Sequence, residues 1–349
     1  MGTYTEGVDV RRELRRFRPM GIADILDETV ELYRNNFALL IGIAAVAYVP
    51  YFLVEGFAPG MDITSTGTAA DVGVGPVLAF LALVFLFVLL VEPIVTGALT
   101  FAISDRYLGR ETSILSCFRR ILTPSILFRF IGAVMLKYMI IIGALFVVII
   151  AVAIVIMGLV ASAGAGLGPT VIAVLLSILL GAAALFLVIY VMVRLALVEP
   201  CFIIEMTGAG GAIGRAWRLI QGNVGKGFWL LMVAGVVAIL IPQIVTLPTQ
   251  LAISLRPEGG PPPSHAVVVI DLILRAVVST LLVPVTSIVT ILLYYDIRIR
   301  KEGFDLQLLA NELDAKTRRF SAPDITALPQ ERPPTGHVNE RSPPGDDAQ

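Results

Sequence analysis

Charge is scarce in this chain of 349 residues. Asp, Glu, Lys and Arg make up 15% of it, where soluble domains carry about 25%. Histidine and cysteine are scarcer still, with two of each. Cys117 and Cys201 cannot build a disulfide framework. No CxxC or Cys/His cluster exists, so neither a metal site nor a cofactor is expected. His265 and His337 fall in a Pro-rich loop and a polar tail, away from any catalytic setting. The formal net charge of −1 provides no basic field for nucleic acid. A cleavable leader is also missing. The basic stretch Val10–Pro19 runs into Met20–Asn36, where five Asp, Glu and Arg residues replace the apolar core that a signal peptide needs.

Hydrophobic residues are what the chain has in plenty, at 57%. Six segments supply the roughly 20 apolar residues of a membrane-spanning helix. They are Phe37–Val54, Val77–Ile103, Phe130–Val160, Thr170–Ile204, Gly227–Leu247 and Val267–Tyr295. None alternates in polarity as a barrel strand does. Lys and Arg collect on one side. Arg11, Arg12, Arg15, Arg16, Arg18 and Arg34 precede the first span. Arg106, Arg110, Arg119, Arg120 and Arg129 lie between the second and third, and Arg215, Arg218 and Lys226 between the fourth and fifth. Arg298, Arg300, Lys301, Lys316, Arg318 and Arg319 follow the sixth. The opposite loops together hold one Arg. The asymmetry predicts both termini in the cytoplasm.

The chain also repeats. A short segment of helical periodicity precedes each pair of spans. Ile25, Leu26, Thr29, Val30 and Tyr33 share one face of the first, and Ile114, Leu115, Phe118, Ile121 and Leu122 one face of the second. Ile213, Ala216, Trp217 and Ile220 do so in the third. Asp24 and Ser113 stand where N-caps belong. Three copies of amphipathic helix, span out and span back predict an all-α polytopic bundle about a pseudo-threefold axis. The short helices are expected in the cytoplasmic headgroup layer, with Arg119, Arg120, Arg215 and Arg218 facing lipid phosphates. The first has an acidic polar face (Asp27, Glu28, Glu31) and is expected to pack on protein. In the alternative, all three simply cover the end of the bundle. The Gly-rich run Gly208–Gly214 lacks both a preceding strand and GxGxxG spacing, and reads as a tight exit from the fourth span. Residues 1–19 form a basic arm, 20–313 the membrane domain and 314–349 a disordered Pro-rich tail. A short helix is expected just after Gly303, which breaks the preceding one.

Val-Glu-Pro occurs twice within long apolar runs, as Val91–Pro93 and Val198–Pro200. Glu92 lies 14 residues before Arg106, about 20 Å along a helix, which sets it near the bilayer middle. Glu199 lies six residues before Glu205, with Arg194 five residues upstream. Pro93 leaves the carbonyl of Leu89 without its helical donor, and Pro200 does the same to Ala196. Pro284, in Leu-Val-Pro, holds the similar place in the sixth span without the glutamate. The three even-numbered spans are expected to bend alike, with Glu92 and Glu199 lining a polar cavity. Three uses stay open. The glutamates pair internally, Glu199 with Arg194, and fix packing; or the cavity binds a cationic or zwitterionic amphiphile such as a lipid headgroup; or the carboxylates carry protons or cations through a transporter or channel. Asp271 and Arg275 form a natural i, i+4 ion pair, and Lys137 is expected to snorkel.

Three stretches carry a family resemblance: Gly21–Phe37 (GIADILDETVELYRNNF), Gly211–Trp229 (GAIGRAWRLIQGNVGKGFW) and Leu292–Leu313 (LLYYDIRIRKEGFDLQLLANEL). They resemble the bacterial membrane domain found fused to some glycerophosphoryl diester phosphodiesterases and also found alone. The likeness covers roughly Met20–Leu313, and YYDIRIRKEGFD is its most specific part. The catalytic part of the fused enzymes is a separate barrel, which takes roughly 250 residues, and no soluble stretch of that size is present. The resemblance therefore implies a non-catalytic membrane portion whose partners are membrane lipids, or another membrane protein or lipid-metabolising enzyme.

Overall fold

A computed structural model of the chain describes residues 19–57, 74–162, 166–255 and 264–303. The basic arm, the helix and tail expected beyond Gly303, and most of the loops opposite the basic end lie outside the described residues. Among the described residues the fold is all-α, with no strand. The helices are α1 (Ile22–Asn35), α2 (Phe37–Phe57), α3 (Val74–Leu86), α4 (Glu92–Tyr107), α5 (Ile114–Ile121), α6 (Pro124–Ser162), α7 (Leu167–Leu195), α8 (Val198–Glu205), α9 (Ala209–Ile220), α10 (Val224–Ser254) and α11 (His265–Glu302). A single π-turn, Phe87–Val91, joins α3 to α4. Five stretches are long and apolar enough to cross a membrane: Leu81–Tyr107, Pro124–Ser162, Leu167–Glu205, Val224–Ser254 and His265–Glu302. A sixth is reached when α1 and α2, bent by 82°, are taken as one unit. The chain is a polytopic membrane protein. The expected first span falls on α2, which counts as a span only together with α1.

The helices begin and end for local reasons. Ser113 caps α5, accepting from the Ser116 amide at 3.4 Å, while its own amide donates to Ser116 Oγ at 3.0 Å. Asp24 is not the cap of α1. Gly21 holds that position, and Asp24 reaches back to accept from the Gly21 amide at 2.8 Å. The Gly-rich run is not the exit turn after the fourth span either. Met206, at φ 51°, makes that turn, and Gly208 caps α9, which absorbs the rest of the run. His265 opens α11 instead of lying in a loop. Gly303 closes α11 at φ 57°, a left-handed conformation that glycine adopts at no steric cost.

The short amphipathic helices all lie against the long ones, as expected for α1 and as the end-covering alternative has it for α5 and α9. α1 runs beside α11, from the Met20 amide donating to Asp296 Oδ1 at 2.7 Å to Tyr33 Oη donating to the Leu281 carbonyl at 3.0 Å. α5 lies along α4, with Cys117 and Ile121 buried against it. α9 lies against α6, α7 and α8, and buries Ala212, Ala216, Leu219 and Ile220. Two of the four arginines expected at phosphates are engaged within the protein. Arg120 pairs with Asp105 at 2.7 Å and sits 4.4 Å over the Phe101 ring. Arg215 pairs with Glu205 at 2.8 Å and with Glu302. Burial works against the Arg215 cation, but the hydrogen bonds and charges of the two glutamates outweigh it and raise its pKa above the ordinary arginine value. Arg119 and Arg218 are exposed.

Burial divides the molecule into two halves. Large apolar side chains are exposed at Phe128 and then from Leu136 to Val160 on α6, from Leu167 to Met192 on α7 and from Trp229 to Leu251 on α10. On α6 that belt is about 36 Å long, enough for a hydrocarbon core of about 30 Å. Toward the basic end the same chain is packed inward, over Val95–Tyr107, Leu195–Ile203 and Ile288–Ile299. Asp296, with no exposed surface, ties this half together. It accepts from the Met20 amide, from Lys226 Nζ at 2.5 Å and from Arg300 Nε at 3.1 Å. Its neighbours reach the other repeats: Tyr295 Oη meets Ser104 Oγ at 2.6 Å, and Tyr294 Oη donates to Glu205 Oε1 at 2.9 Å.

Two substitutions test this packing. Asp296→Ala strands Lys226 and Arg300 and should cost about 3–5 kcal/mol, read as a lowered melting midpoint in detergent. A Cβ on Gly97 meets Ile121 Cδ1 at 2.7 Å and the buried Phe130 ring at 3.0 Å. Gly97→Val should cost about 1–3 kcal/mol, whereas Gly132→Ala, with nothing within 4 Å of the new atom, should be close to neutral.

Candidate functional site

The site grows from the prolines. Pro93 cannot donate to the Leu89 carbonyl, and the helix widens just before it into the π-turn Phe87–Val91, where the Glu92 amide bonds to the Phe87 carbonyl five residues back. In the second repeat the helix breaks at Ala196–Leu197. The Ala196 amide bonds to the Val193 carbonyl three residues back, and α8 starts afresh. In the third repeat α11 continues as helix through Pro284, without the irregular backbone of the other two. The residues before the three prolines are Glu92, Glu199 and Val283. All three line one cavity of about 670 Å³. The odd-numbered spans contribute a matching set. Ile41-Gly42 in α2 and Ile131-Gly132 in α6 are each followed six residues after the glycine by a tyrosine, Tyr48 and Tyr138.

Within the cavity the two glutamates are held differently. Glu199 forms an ion pair with Lys137 of α6. Glu92 accepts from the neutral Tyr138 Oη at 3.0 Å, and Thr96 Oγ1 lies 3.3 Å from its other carboxylate oxygen while donating to the Glu92 carbonyl at 2.9 Å. Tyr48 also lines the space and packs edge-on against Phe87 of the π-turn, ring centroids 5.4 Å apart. Thr100 of α4 and Thr286, Ser287 and Thr290 of α11 complete the polar wall.

The cavity opens toward the exposed belt. Met192 on α7 and Met232, Val236 and Ile239 on α10 line it while remaining exposed, Met192 at 52% and Ile239 at 65%. α7 and α10 meet less closely than the hairpin pairs α6–α7 and α10–α11. Leu90, the last exposed large apolar residue before α4, and Leu136, where the continuous exposed run of α6 begins after the isolated Phe128, stand close to Glu92 and Lys137 in sequence. The carboxylates therefore lie at the rim of the apolar belt, toward the basic end. The roughly 20 Å of helix from Glu92 to Arg106, over which the expected depth was measured, is largely packed against other helices.

Several expected partnerships differ. Arg194 does not pair with Glu199. It donates to the Trp217 carbonyl at 2.9 Å and to Tyr190 Oη, with its guanidinium 4.9 Å over each of the Tyr190 and Trp217 rings. It clamps α9 to α7. Lys137 does not snorkel outward, because Glu199 draws it into the cavity. Asp271 and Arg275 do pair, at 2.7 Å. Sequence reasoning missed Thr96, Tyr138 and Tyr48, although the Ile-Gly-to-Tyr spacing shared by the two repeats was a signal for both tyrosines. Among the described residues no group of three or more His, Cys, Asp or Glu side chains converges as a metal site. No family model matches the chain, and neither the curated proteins nor the solved structures contain a match.

Lys137→Met should leave Glu199 as an unpaired interior carboxylate and cost about 3 kcal/mol. Adding Glu199→Gln should recover most of the loss in a double-mutant cycle on the melting midpoint. Equal, additive losses would show that the pair carries no coupling.

Proposed function

We propose that this is a non-catalytic integral membrane protein that binds a membrane lipid in the cavity between α7 and α10, with its packed basic half in the cytoplasm. One observation carries the reading: a polar, charge-lined cavity sits at the rim of the apolar belt and opens sideways past Met192, Met232 and Ile239. A lipid headgroup lies at that depth, while its chains run along the belt. The distribution of Lys and Arg supports the orientation. The resemblance to the glycerophosphodiester phosphodiesterase membrane domain supports both a bacterial inner membrane and a role beside a lipid-metabolising enzyme. Solute or cation passage is a second reading, favoured by the interruptions at matched positions of the first two repeats.

The chain as purified should retain lipid, measured by mass spectrometry after delipidating washes. Gly235 lines the cavity and a Cβ there meets nothing within 4 Å. Gly235→Phe should fill the space and reduce the retained lipid severalfold without unfolding the protein. Unchanged retention would contradict the reading. Flux in proteoliposomes that Glu92→Gln and Glu199→Gln abolish would favour passage instead. Hydrolysis of glycerophosphodiesters by the purified chain would overturn the non-catalytic assignment.

The orientation has its own test. Ser264→Cys, at the exposed start of α11, should react with a membrane-impermeant maleimide added outside intact cells. The native Cys117 and Cys201 are buried and should give little background. Labelling only after permeabilisation would reverse the orientation.

A further inference from the structure

We infer that the ligand of this cavity is an aminolipid whose single protonated amine docks on Glu92, an inference that rests on the lipid-binding reading above. The lining holds two carboxylates, Glu92 and Glu199, and one ammonium, Lys137. With all three ionised the cavity carries one net negative charge. Lys137 is engaged by Glu199. Glu92 has only hydroxyl partners, Tyr138 and Thr96, and among the described residues no cation pairs with it. A carboxylate has about four acceptor sites, so Glu92 retains room for a cation with several N–H donors.

The repeat shows the same gap from the other side. Lys137 immediately precedes Tyr138 in α6, and the corresponding residue before Tyr48 in α2 is the buried Ala47. The second repeat thus carries its own ammonium for its own glutamate. The first repeat has the glutamate and lacks the lysine. A ligand amine supplies at Glu92 what Lys137 supplies at Glu199.

The hydrogen-bond polarity of the walls selects the same chemistry. Thr100 donates its hydroxyl proton to the Thr96 carbonyl at 2.7 Å. Thr286 and Ser287 donate to the Val283 carbonyl at 2.9 and 3.2 Å, and Thr290 donates to the Thr286 carbonyl at 2.9 Å. With those protons committed, the four oxygens are left as acceptors. A primary ammonium brings three donors to such a wall, whereas a phosphate or carboxylate meets two carboxylates and four hydroxyls whose protons are committed. The Tyr48 and Phe228 rings lining the same space add surfaces that favour a cation. The lateral opening favours a lipid as the carrier of the amine, since its acyl chains can stay on the exposed faces of α7 and α10.

The test is a titration of the full-length chain in nonionic detergent with phosphatidylethanolamine, phosphatidylglycerol of the same acyl chains, and free ethanolamine, read by native mass spectrometry and thermal shift. Phosphatidylethanolamine should bind about tenfold tighter than phosphatidylglycerol. Glu92→Gln should abolish that preference while lipid still binds. Equal binding of the two lipids by the wild type, blocked in both cases by Gly235→Phe, would overturn the amine assignment and leave lipid binding standing. A preference that survives Glu92→Gln would also overturn it. Lipid binding indifferent to Gly235→Phe would remove the cavity reading itself. Free ethanolamine binding as tightly as the lipid would overturn the lipid carrier.

Discussion

A charge placed inside an apolar helical bundle must find a partner there, and this requirement organises the molecule. The desolvation cost of an isolated buried ion is several kcal/mol even after relaxation. Asp296 meets the requirement with an amide, a lysine and an arginine. Glu205 meets it with Arg215 and the Tyr294 hydroxyl, and Asp105 with Arg120. Asp296 and Glu205 join segments distant in the chain through Met20, Lys226 and Tyr294, whereas Asp105 ties α4 to the following α5. Asp105 and Asp296 each lie 12 residues after the proline of their span, so the first and third repeats use equivalent positions. Glu92 is the exception, held by hydroxyls alone at the wall of an open cavity.

The prolines set up that exception. In a spanning helix a proline leaves a carbonyl without its donor, and the backbone answers by widening or breaking. Here it widens before Glu92 and breaks before Glu199. Both glutamates then face the same space instead of continuing the lipid-facing stripe of their helices. Where the glutamate is replaced by Val283, the helix runs on. The coincidence of proline, irregular backbone and carboxylate in two repeats, and of none but the proline in the third, makes the cavity an asymmetric product of a symmetric plan.

Much of the fold was legible because it rests on periodicity and composition. The apolar runs, the three amphipathic segments and the repeat could be read directly, and the Glu-Pro pairs pointed to one cavity. Pairing across helices could not be read. Lys137 and Glu199 are 62 residues apart, and only packing shows that they meet while Arg194, five residues from Glu199, turns to Trp217. Depth was also hidden. Val95–Ile103 is as apolar as a lipid-facing stretch, yet it is buried under α5 and its neighbours. The same substitution of protein for lipid explains why the short helices stand along the bundle. An amphipathic face does not reveal whether it meets acyl chains or other helices.

Glu92 lines the cavity that opens past Met192 and Ile239 and is reachable from the exposed belt, whereas Glu205 and Asp296 are enclosed with their partners. Treatment of the protein in membranes with dicyclohexylcarbodiimide, a hydrophobic reagent that converts carboxyl groups to N-acylureas, followed by peptide mass spectrometry, tests it directly. Modification is expected at Glu92 and at neither Glu205 nor Asp296. Modification of Glu205 or Asp296 with Glu92 untouched would contradict it.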